Sequence, residues 1–397
     1  MKPARSIVIA LVAGCSVAAH TQAQTVCRIA TWFNPTGAAN APFSNVAGAA
    51  CATPANGVLT VAGGTYYEYA TTLHTPVRIT TTTTPVVVGR QGASRTHVRL
   101  VSLSTHLYGE TSTSFSYALD NQRTEALKTF LATKAAEGAN LIALQDVFDL
   151  DFALTLHQNR PLAYGNFGTG IRPGAVLSSG LGFMSAGAVS NAVQALYSGA
   201  RGEDLNVSRS FFRVTITQDG QGIGFYNTSL QQGSAGADAT IRSAQIQLLA
   251  SDILAYRQAN PSHVVIIAGN FNLSDTTTEY TTTLSNQFGG VSGAADTAPN
   301  LACVGAGVAA CTGCSDNALR TFFGGTGNVR SDYVAYADSW DGQVRIIPKS
   351  YDVSRATAAA PMTGNAFNAG TQTTSSLTTD LLADHSVITA DFDIVRR

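Results

Sequence analysis

The apolar positions of this chain form short runs that predict β-strands over much of its length. After residue 97 the runs are continuous or alternate with polar residues, at 98–103, 141–144, 211–217, 223–230, 264–268, 332–337 and 387–392. Two intervening segments have apolar residues at helical spacing, one at 241–256 and one after Asp120, a residue type that can cap a helix. Strands that alternate with helices predict an α/β fold over residues 97–397.

The segment before residue 97 has a different pattern. Residues 24–96 are rich in Thr, Gly, Ala and Val, carry almost no charge, and contain β-prone runs at 58–61, 77–79 and 86–88. We predict a small all-β module there, with a strand spacing typical of stacked coils such as those of a β-helix. The module shows no cluster of ionisable residues in its sequence, so we interpret it as structural or adhesive.

The first residues have the composition of an export signal. A positively charged N-terminus precedes an apolar run at residues 7–19, and small residues follow. We therefore predict a signal peptide at residues 1–23 and a protein secreted to the periplasm or the medium. The alternative is a lipoprotein anchored at Cys15, because the sequence VAGC resembles a lipoprotein box.

Export makes disulfide bonds favourable. We predict a bond between Cys27 and Cys51, and a second bond between two of the remaining cysteines Cys303, Cys311 and Cys314. The CTGC sequence is also typical of redox or zinc sites. A structural disulfide is the favoured interpretation because the chain has no second ligand pair.

Composition and charge narrow the range of partners. Charged residues make up 12% of the 397 residues, about half the usual share, and the net charge is −1. Proteins that bind nucleic acid usually carry a basic excess. We therefore expect no nucleic-acid partner.

Polar side chains stand where the predicted strands end. A sheet holds its strand ends rigidly together, so such positions are typical of active sites in α/β folds. Each residue alone is also typical of a turn, and only their order along the chain makes the set specific. The candidates are Ser104, Asp146, Asn227, Ser229, Asn270, Asn272, Asp332, Asp384 and His385.

The segments around these residues form a recognisable series: LQDVFD at 144–149, SGLGFMS at 179–185, YNTSLQ at 226–231, RSAQ at 242–245, GNFN at 269–272, SDYV at 331–334 and DHSV at 384–387. The series resembles the endonuclease/exonuclease/phosphatase superfamily, and the VFD and SGL segments resemble its bacterial neutral sphingomyelinase branch most. This resemblance implies a DNase I-like fold of four layers, in which two sheets pack together and helices flank them.

The resemblance also implies metal-assisted hydrolysis of a phosphodiester. In the family, Mg²⁺ on a glutamate polarises the phosphodiester, a His–Asp pair activates water, and further polar groups stabilise the developing charge. Asp146 corresponds to the metal-binding glutamate but is one methylene shorter. Asn272, Asp332, Asp384 and His385 match the catalytic set.

Other positions depart from the family pattern. Ser229 replaces a histidine and cannot carry a proton at neutral pH, while Asn270 replaces an aspartate and loses its charge. Ser104 corresponds to an asparagine of the family, with its neighbour Thr105 as the alternative. Ser104 and Asn227 are candidates for binding substrate. His106 follows the first strand closely and could enter the site in place of the missing histidine. Losing a general acid or base costs about 10²–10⁴ in rate.

These departures predict a sphingomyelinase-like phosphodiesterase whose activity is weak or lost. We expect a monomer that acts on phospholipid at a membrane surface. The alternative is a catalytically inactive protein that binds lipid or another surface through the same fold. A nuclease is the least favoured function, because the chain lacks a basic excess. Retention of Mg²⁺ stays open, since the shorter Asp146 suits tight octahedral coordination poorly.

Overall fold

We describe the fold from a computed structural model. It describes residues 95–110, 114–289, 301–304 and 311–396, together with the backbone of five short strands between residues 29 and 88. The predicted signal peptide, the predicted lipid anchor at Cys15 and the predicted Cys27–Cys51 bond lie outside these residues. No helix in the described ranges is long and apolar enough to span a membrane.

The chain alternates strands and helices, as the apolar pattern predicts. In chain order the strands are β1 (Ile29–Thr31), β2 (Val58–Val61), β3 (Gly64–Tyr66), β4 (Arg78–Thr81), β5 (Val86–Val88), β6 (Arg95–Leu107), β7 (Tyr117–Ala118), β8 (Leu141–Val147), β9 (Tyr164–Phe167), β10 (Gly182–Ser185), β11 (Ala188–Leu196), β12 (Ser210–Gln218), β13 (Gln221–Ser229), β14 (Val264–Asn270), β15 (Ala302–Val304), β16 (Asp332–Ala337), β17 (Val344–Ser354), β18 (Thr357–Asn368), β19 (Thr373–Leu381) and β20 (Val387–Arg396). The helices are α1 (Asp120–Ala136), α2 (Leu150–Gln158), α3 (Gly236–Ala259), α4 (Ser285–Gly289) and α5 (Ala318–Phe322), with a 3₁₀ turn at Gly202–Leu205 and a π-helical turn at Tyr280–Leu284.

Two large sheets form the centre of the fold. The seven-stranded sheet has the order β1-β15-β16-β14-β13-β12-β11, and the six-stranded sheet has the order β17-β20-β6-β8-β10-β9. Each contains one parallel pair, β13 with β14 and β6 with β8, and the other neighbours are antiparallel. Helix α3 connects the first parallel pair and α1 the second, as a parallel crossover requires.

The sheets pack face to face and helices cover their outer faces. Leu141 and Phe183 of one sheet meet Phe225 and Ile266 of the other in the shared core. Apolar residues of α1 and α2 cover the outer face of the six-stranded sheet, and those of α3, including Ile253, cover the seven-stranded sheet. This arrangement of helix, sheet, sheet and helix confirms the predicted four-layer fold.

The local sequence explains the central strands. All seven positions of β8 and of β14 are buried, and strands buried on both faces read as continuous apolar runs. Between β12 and β13, Asp219 and Gly220 have φ of 50° and 76°. Positive φ at both central residues is the geometry of a tight hairpin turn, which the Asp-Gly pair favours.

The structure differs from the sequence predictions in several details. Five strands of the central sheets were not predicted, namely β9, β10, β11, β15 and β17. Asp120 is the first residue of α1 and does not cap it, because its carboxylate accepts backbone hydrogen bonds from Tyr108, Gly109 and Ala118. A three-stranded sheet, β19-β18-β7, was not predicted. Its longest strands are rich in exposed Thr, Ser and Ala, so they lack the apolar run or alternation that marks a buried strand.

Within the predicted all-β module, β2 pairs with β4 and β3 pairs with β5, both in parallel. The paired segments lie about 20 residues apart in the chain. In contrast, β1 joins the edge of the seven-stranded sheet through β15. Strand β6 begins at Arg95, two residues before the predicted boundary at 97. The division into domains stays a prediction.

The structure contains a disulfide bond between Cys311 and Cys314, and Cys303 is free and buried. The predicted bond within this group of three is therefore confirmed. It closes the CTGC turn, which lies beside the residues of the candidate site.

Candidate functional site

The predicted site residues come together at one edge of the two central sheets. Ser229 ends β13, Asn270 ends β14 and Asp332 begins β16. The strand register places Ser229 beside Asn270 and Asn270 beside Asp332. Ser104 and Asp146 lie near the ends of β6 and β8 in the facing sheet.

The carboxylate of Asp146 is bound by four side chains of the protein itself. Its Oδ1 accepts hydrogen bonds from Arg209 Nη1 at 2.5 Å and from Ser229 Oγ at 3.0 Å. Its Oδ2 accepts hydrogen bonds from the hydroxyl of Ser104 and, at 3.3 Å, from Asn270 Nδ2. Because a carboxylate offers about four acceptor positions, those of Asp146 are all in use.

Arg209 is the cation of this network. Its side chain is 1% exposed, its Nε donates to Asp204 Oδ1 at 2.9 Å, and its guanidinium lies 5.2 Å from the ring centre of Phe148. Burial opposes the charge, but Asp204 and Asp146 outweigh it and raise the pKa of Arg209 above its ordinary value. Likewise, burial opposes the charge of Asp146, but Arg209 and its hydrogen-bond donors lower the pKa of that carboxyl. The pair is a buried salt bridge.

The surroundings of Asp146 do not fit Mg²⁺. That ion needs near-octahedral oxygen ligands with lone pairs directed at it, whereas Asp146 directs its lone pairs at the hydrogens of other side chains. In the described part of the chain, no group of three or more His, Cys, Asp or Glu side chains could hold a metal ion. The predicted Mg²⁺ site at Asp146 therefore lacks a ligand set.

His385 lies between two carboxylates. Its Nδ1 is 2.6 Å from Asp332 Oδ2, and its Nε2 is 3.9 Å from Asp384 Oδ2. On the other side of Asp384, His106 Nδ1 is 3.5 Å from the same oxygen. The structure thus keeps the predicted His–Asp pair intact and brings His106 next to it.

The two carboxylates control the protonation of His385. Burial disfavours the imidazolium, but Asp332 and Asp384 outweigh that effect and raise the pKa of His385 to about 9. At pH 7 roughly one molecule in a hundred would carry the neutral imidazole. A protonated imidazole can donate a hydrogen bond to phosphate but cannot accept a proton from water.

His385 and Asp384 form part of the wall of a cavity of about 580 Å³, a volume that suits a small ligand or head group. Arg320 contributes a cation for which the described residues provide no ion-pair partner, whereas Arg242 is paired with Glu279 at 2.8 Å. The wall consists of His106, Gln232, Gly233, Ser234, Arg242, Asn272, Leu273, Ser274, Thr277, Glu279, Arg320, Phe323, Gly324, Gly325, Thr326, Val329, Ser331, Asp384 and His385.

The remaining predicted residues have different environments. Asn272 lies on the cavity wall, and its Nδ2 donates to the carbonyl of Leu230 at 2.7 Å. Asn227 is fully buried and bridges the two central sheets, since its Nδ2 donates to the carbonyls of Leu144 and Gly182 at 2.8 Å. These bonds hold the two central sheets together. That Asn227 also contacts substrate stays a prediction.

Three residues of the site have left-handed backbone conformations. The φ angles are 59° at Asp146, 52° at Asn272 and 53° at His106. Such angles are uncommon for residues other than glycine and persist only where the surrounding structure enforces them, often at functional sites. Here the strand ends turn sharply, which aims Asn272 and His106 at the cavity.

The sequence motifs do not mark Arg209, Asp204 or Arg320. A signal for Arg209 exists, because it directly precedes β12, and the first residue of that strand, Ser210, pairs with Ser229. An arginine that directly precedes a strand paired with a motif strand is notable in a chain with 12% charged residues. Arg320 lies in a short helix outside every motif, and its position on the cavity wall depends on the fold.

Comparison with known proteins supports the fold. No family model and no curated protein sequence matches the chain. Similar solved structures include sphingomyelinase C from Streptomyces griseocarneus, with a TM-score of 0.53, 16% identity, and coverage of 75% of this chain and 99% of that one. Another is beta toxin from Staphylococcus aureus, in a mutant structure with bound magnesium ions. Its TM-score is 0.55 and its identity is 14%, with coverage of 74% of this chain and 99% of that one.

A third similar structure is TDP2 from D. rerio, humanized by 14 mutations, with a TM-score of 0.51, 12% identity, and coverage of 75% of this chain and 98% of that one. Identities this low establish the fold alone. The chain therefore has the DNase I-like fold, and the likeness to the endonuclease/exonuclease/phosphatase scaffold is confirmed at that level. The function must be argued from the site.

Proposed function

We propose that this protein is an exported, sphingomyelinase-like phosphodiesterase that binds a phospholipid head group and hydrolyses it weakly or not at all. The proposal extends the fold shared with sphingomyelinase C and beta toxin to the site of this chain. Its main support is the position of His385, held between Asp332 and Asp384 on the wall of the cavity.

The cavity carries groups that suit a head group with both a negative and a positive charge. The imidazolium of His385 and the guanidinium of Arg320 can neutralise a phosphodiester and donate hydrogen bonds to it. Phe323 supplies an aromatic ring, which stacks on His106 with ring centres 3.8 Å apart, and Asp384 supplies a carboxylate on the cavity wall. An aromatic face and a carboxylate together favour a quaternary ammonium such as that of phosphocholine.

Hydrolysis has less support than binding. The predicted general base, His385, is protonated at neutral pH, and Asp146 is bound to Arg209 instead of being free to ligate a metal ion. Ser229 cannot supply the missing acid or base, because its hydroxyl is fully buried and bonded to Asp146. Base catalysis and metal-assisted charge stabilisation are therefore both weakened.

The proposal is tested with purified protein on vesicles that contain sphingomyelin. Co-sedimentation measures binding, and release of phosphocholine measures hydrolysis with and without Mg²⁺. We expect binding that His385→Ala weakens by about tenfold, since one charge-assisted hydrogen bond to phosphate is lost. We expect phosphocholine release close to background at pH 7, with a small increase as the pH rises through about 9, where His385 loses its proton.

A matched control is His157→Ala, a histidine at the end of α2 and outside the cavity, which should leave binding unchanged. Efficient Mg²⁺-dependent turnover by the unaltered protein would contradict the weak activity. Equal binding by the unaltered protein and His385→Ala would contradict the head-group site.

The second candidate function is a catalytically inactive binding protein. The closed network around Asp146 favours it, because four protein side chains already use the lone pairs of that carboxylate. The same assay separates the two functions. Phosphocholine release that His385→Ala abolishes indicates a weak enzyme, whereas binding without any such release indicates an inactive one.

A further inference from the structure

Three buried charged side chains form a row that contacts a residue of the cavity wall. Asp146, Arg209 and Asp204 are 3%, 1% and 1% exposed. Arg209 lies between the two carboxylates, with Nη1 2.5 Å from Asp146 Oδ1 and Nε 2.9 Å from Asp204 Oδ1. Asp204 Oδ2 also accepts a hydrogen bond at 2.7 Å from the backbone N–H of Gln232, a residue of the cavity wall.

We infer that Arg209 is the resident cation of this site and takes the place of a divalent metal ion at Asp146. The guanidinium neutralises the buried carboxylate from within the chain. It also donates a hydrogen bond to the hydroxyl of Ser229, so it stabilises two of the predicted site residues at once. The site is therefore charged and complete without a metal ion.

The contacts of Arg209 hold it in this position. Turning its side chain away would leave two carboxylates buried without a cation, which is strongly unfavourable. The ring of Phe148, whose centre lies 5.2 Å from the guanidinium, packs against it. A planar guanidinium bound on two edges and stacked on a ring is a fixed element, in contrast to a metal ion that exchanges with solvent.

This substitution changes the chemistry that the site can provide. A guanidinium has a single positive charge and donates hydrogen bonds, but it has no open coordination position and cannot generate a bound hydroxide. Binding of an anionic ligand in the cavity should therefore be independent of Mg²⁺. The inference concerns the same site as the proposed function, but it holds whatever ligand the cavity takes.

Binding of Mn²⁺, a probe for Mg²⁺ sites, provides the test. Electron paramagnetic resonance measures free Mn²⁺ in solutions of the full protein. We expect no binding by the unaltered protein up to about 1 mM Mn²⁺, the range of weak oxygen-ligand sites. Arg209→Ala removes the cation and vacates the space between Asp146 and Asp204, so it should create a Mn²⁺ site with these two carboxylates as ligands. Adding Asp146→Asn to Arg209→Ala should abolish that site.

The matched control is Arg201→Ala, because Arg201 is 52% exposed and pairs with Asp238 at 3.4 Å. It should leave Mn²⁺ binding unchanged. Mn²⁺ binding by the unaltered protein that Asp146→Asn removes would overturn the inference. A folded Arg209→Ala protein that gains no Mn²⁺ site would overturn it too.

If Arg209→Ala does not fold, comparing the unaltered protein with Asp146→Asn still decides the question. Absence of an Asp146-dependent Mn²⁺ site supports the inference, and presence of one refutes it. These measurements are separate from those of vesicle binding and phosphocholine release. Failure of the inference can therefore be distinguished from failure of the proposed function.

Discussion

At the scale of single residues, the positions that depart from the family pattern bind one another. Ser229 and Asn270 both donate hydrogen bonds to Asp146, and Arg209 adds the balancing charge. A buried polar group without a partner costs about 1–3 kcal/mol, so one such change by itself would destabilise the site. Together with Ser104, these side chains form a closed network in which each oxygen of Asp146 has two donors.

The protonation of His385 predicts a pH dependence of stability. Its folded-state pKa of about 9 lies above the ordinary value of 6.5, so the protonated form stabilises the folded protein. This contribution is complete below pH 6.5 and is lost as the pH rises through about 9, with a total on the order of 3 kcal/mol. We expect the difference in unfolding free energy between the unaltered protein and His385→Gln to shrink over that window.

Urea unfolding at several pH values measures this difference. His97 also has its pKa raised to about 9, by Asp391 and Asp393, but it is present in both proteins and its contribution cancels. A difference that stays constant between pH 6 and 10 would show that Asp332 and Asp384 do not hold a proton on His385.

At the scale of elements, the CTGC turn joins the two halves of the His–Asp pair. Thr312, inside the turn, accepts hydrogen bonds through Oγ1 from the backbone N–H groups of Ser331 and Asp332, at 3.0 and 3.2 Å. Its carbonyl accepts a bond from the N–H of Ser386, the neighbour of His385. One closed turn therefore positions the start of β16 and the residues before β20.

Breaking the Cys311–Cys314 bond should make the contact between His385 and Asp332 less rigid. The double variant Cys311→Ser with Cys314→Ser removes a short covalent loop, and we expect a loss of about 2 kcal/mol in unfolding free energy. Hydrogen exchange should become faster at the amides of Asp332 and Ser386, while that of Ile266 in the centre of β14 should change only with global stability. Equal changes at all three amides would show that the turn has no local effect.

At the scale of the whole molecule, net charge distinguishes between ligand classes, whereas the fold does not. The DNase I-like fold is shared by sphingomyelinase C and by TDP2, one structure of which is a complex with a single-strand DNA product. The net charge of −1 and the low content of charged residues do not provide the positive field that attracts a polyanion.

We therefore expect the protein to leave supercoiled plasmid DNA intact in the presence of Mg²⁺. Agarose gel electrophoresis over several hours measures nicking, with His385→Ala as the control for contaminating nuclease. Nicking that disappears in His385→Ala would favour a nuclease over the lipid function.

The amino-acid sequence by itself determined seven strands of the central sheets, the long helix α3, and the series of polar residues at the strand ends. The seven strands are β6, β8, β12, β13, β14, β16 and β20. Runs such as LIAL before Gln145 and VVIIA before Gly269 predict strands from neighbouring residues alone, without knowledge of distant contacts. The exposed sheet of β18 and β19 was missed because its polar strands bury little apolar surface.

Only the tertiary structure decided the charge state and the closure of the site. Arg209 and Asp146 are 63 positions apart, and His385 and Asp332 are 53 apart, so no local pattern announces either contact. The pKa of His385 and the loss of a ligand position at Asp146 follow from distances of a few ångströms in a buried space. Such distances exist only after the two sheets have packed and their strand ends have met.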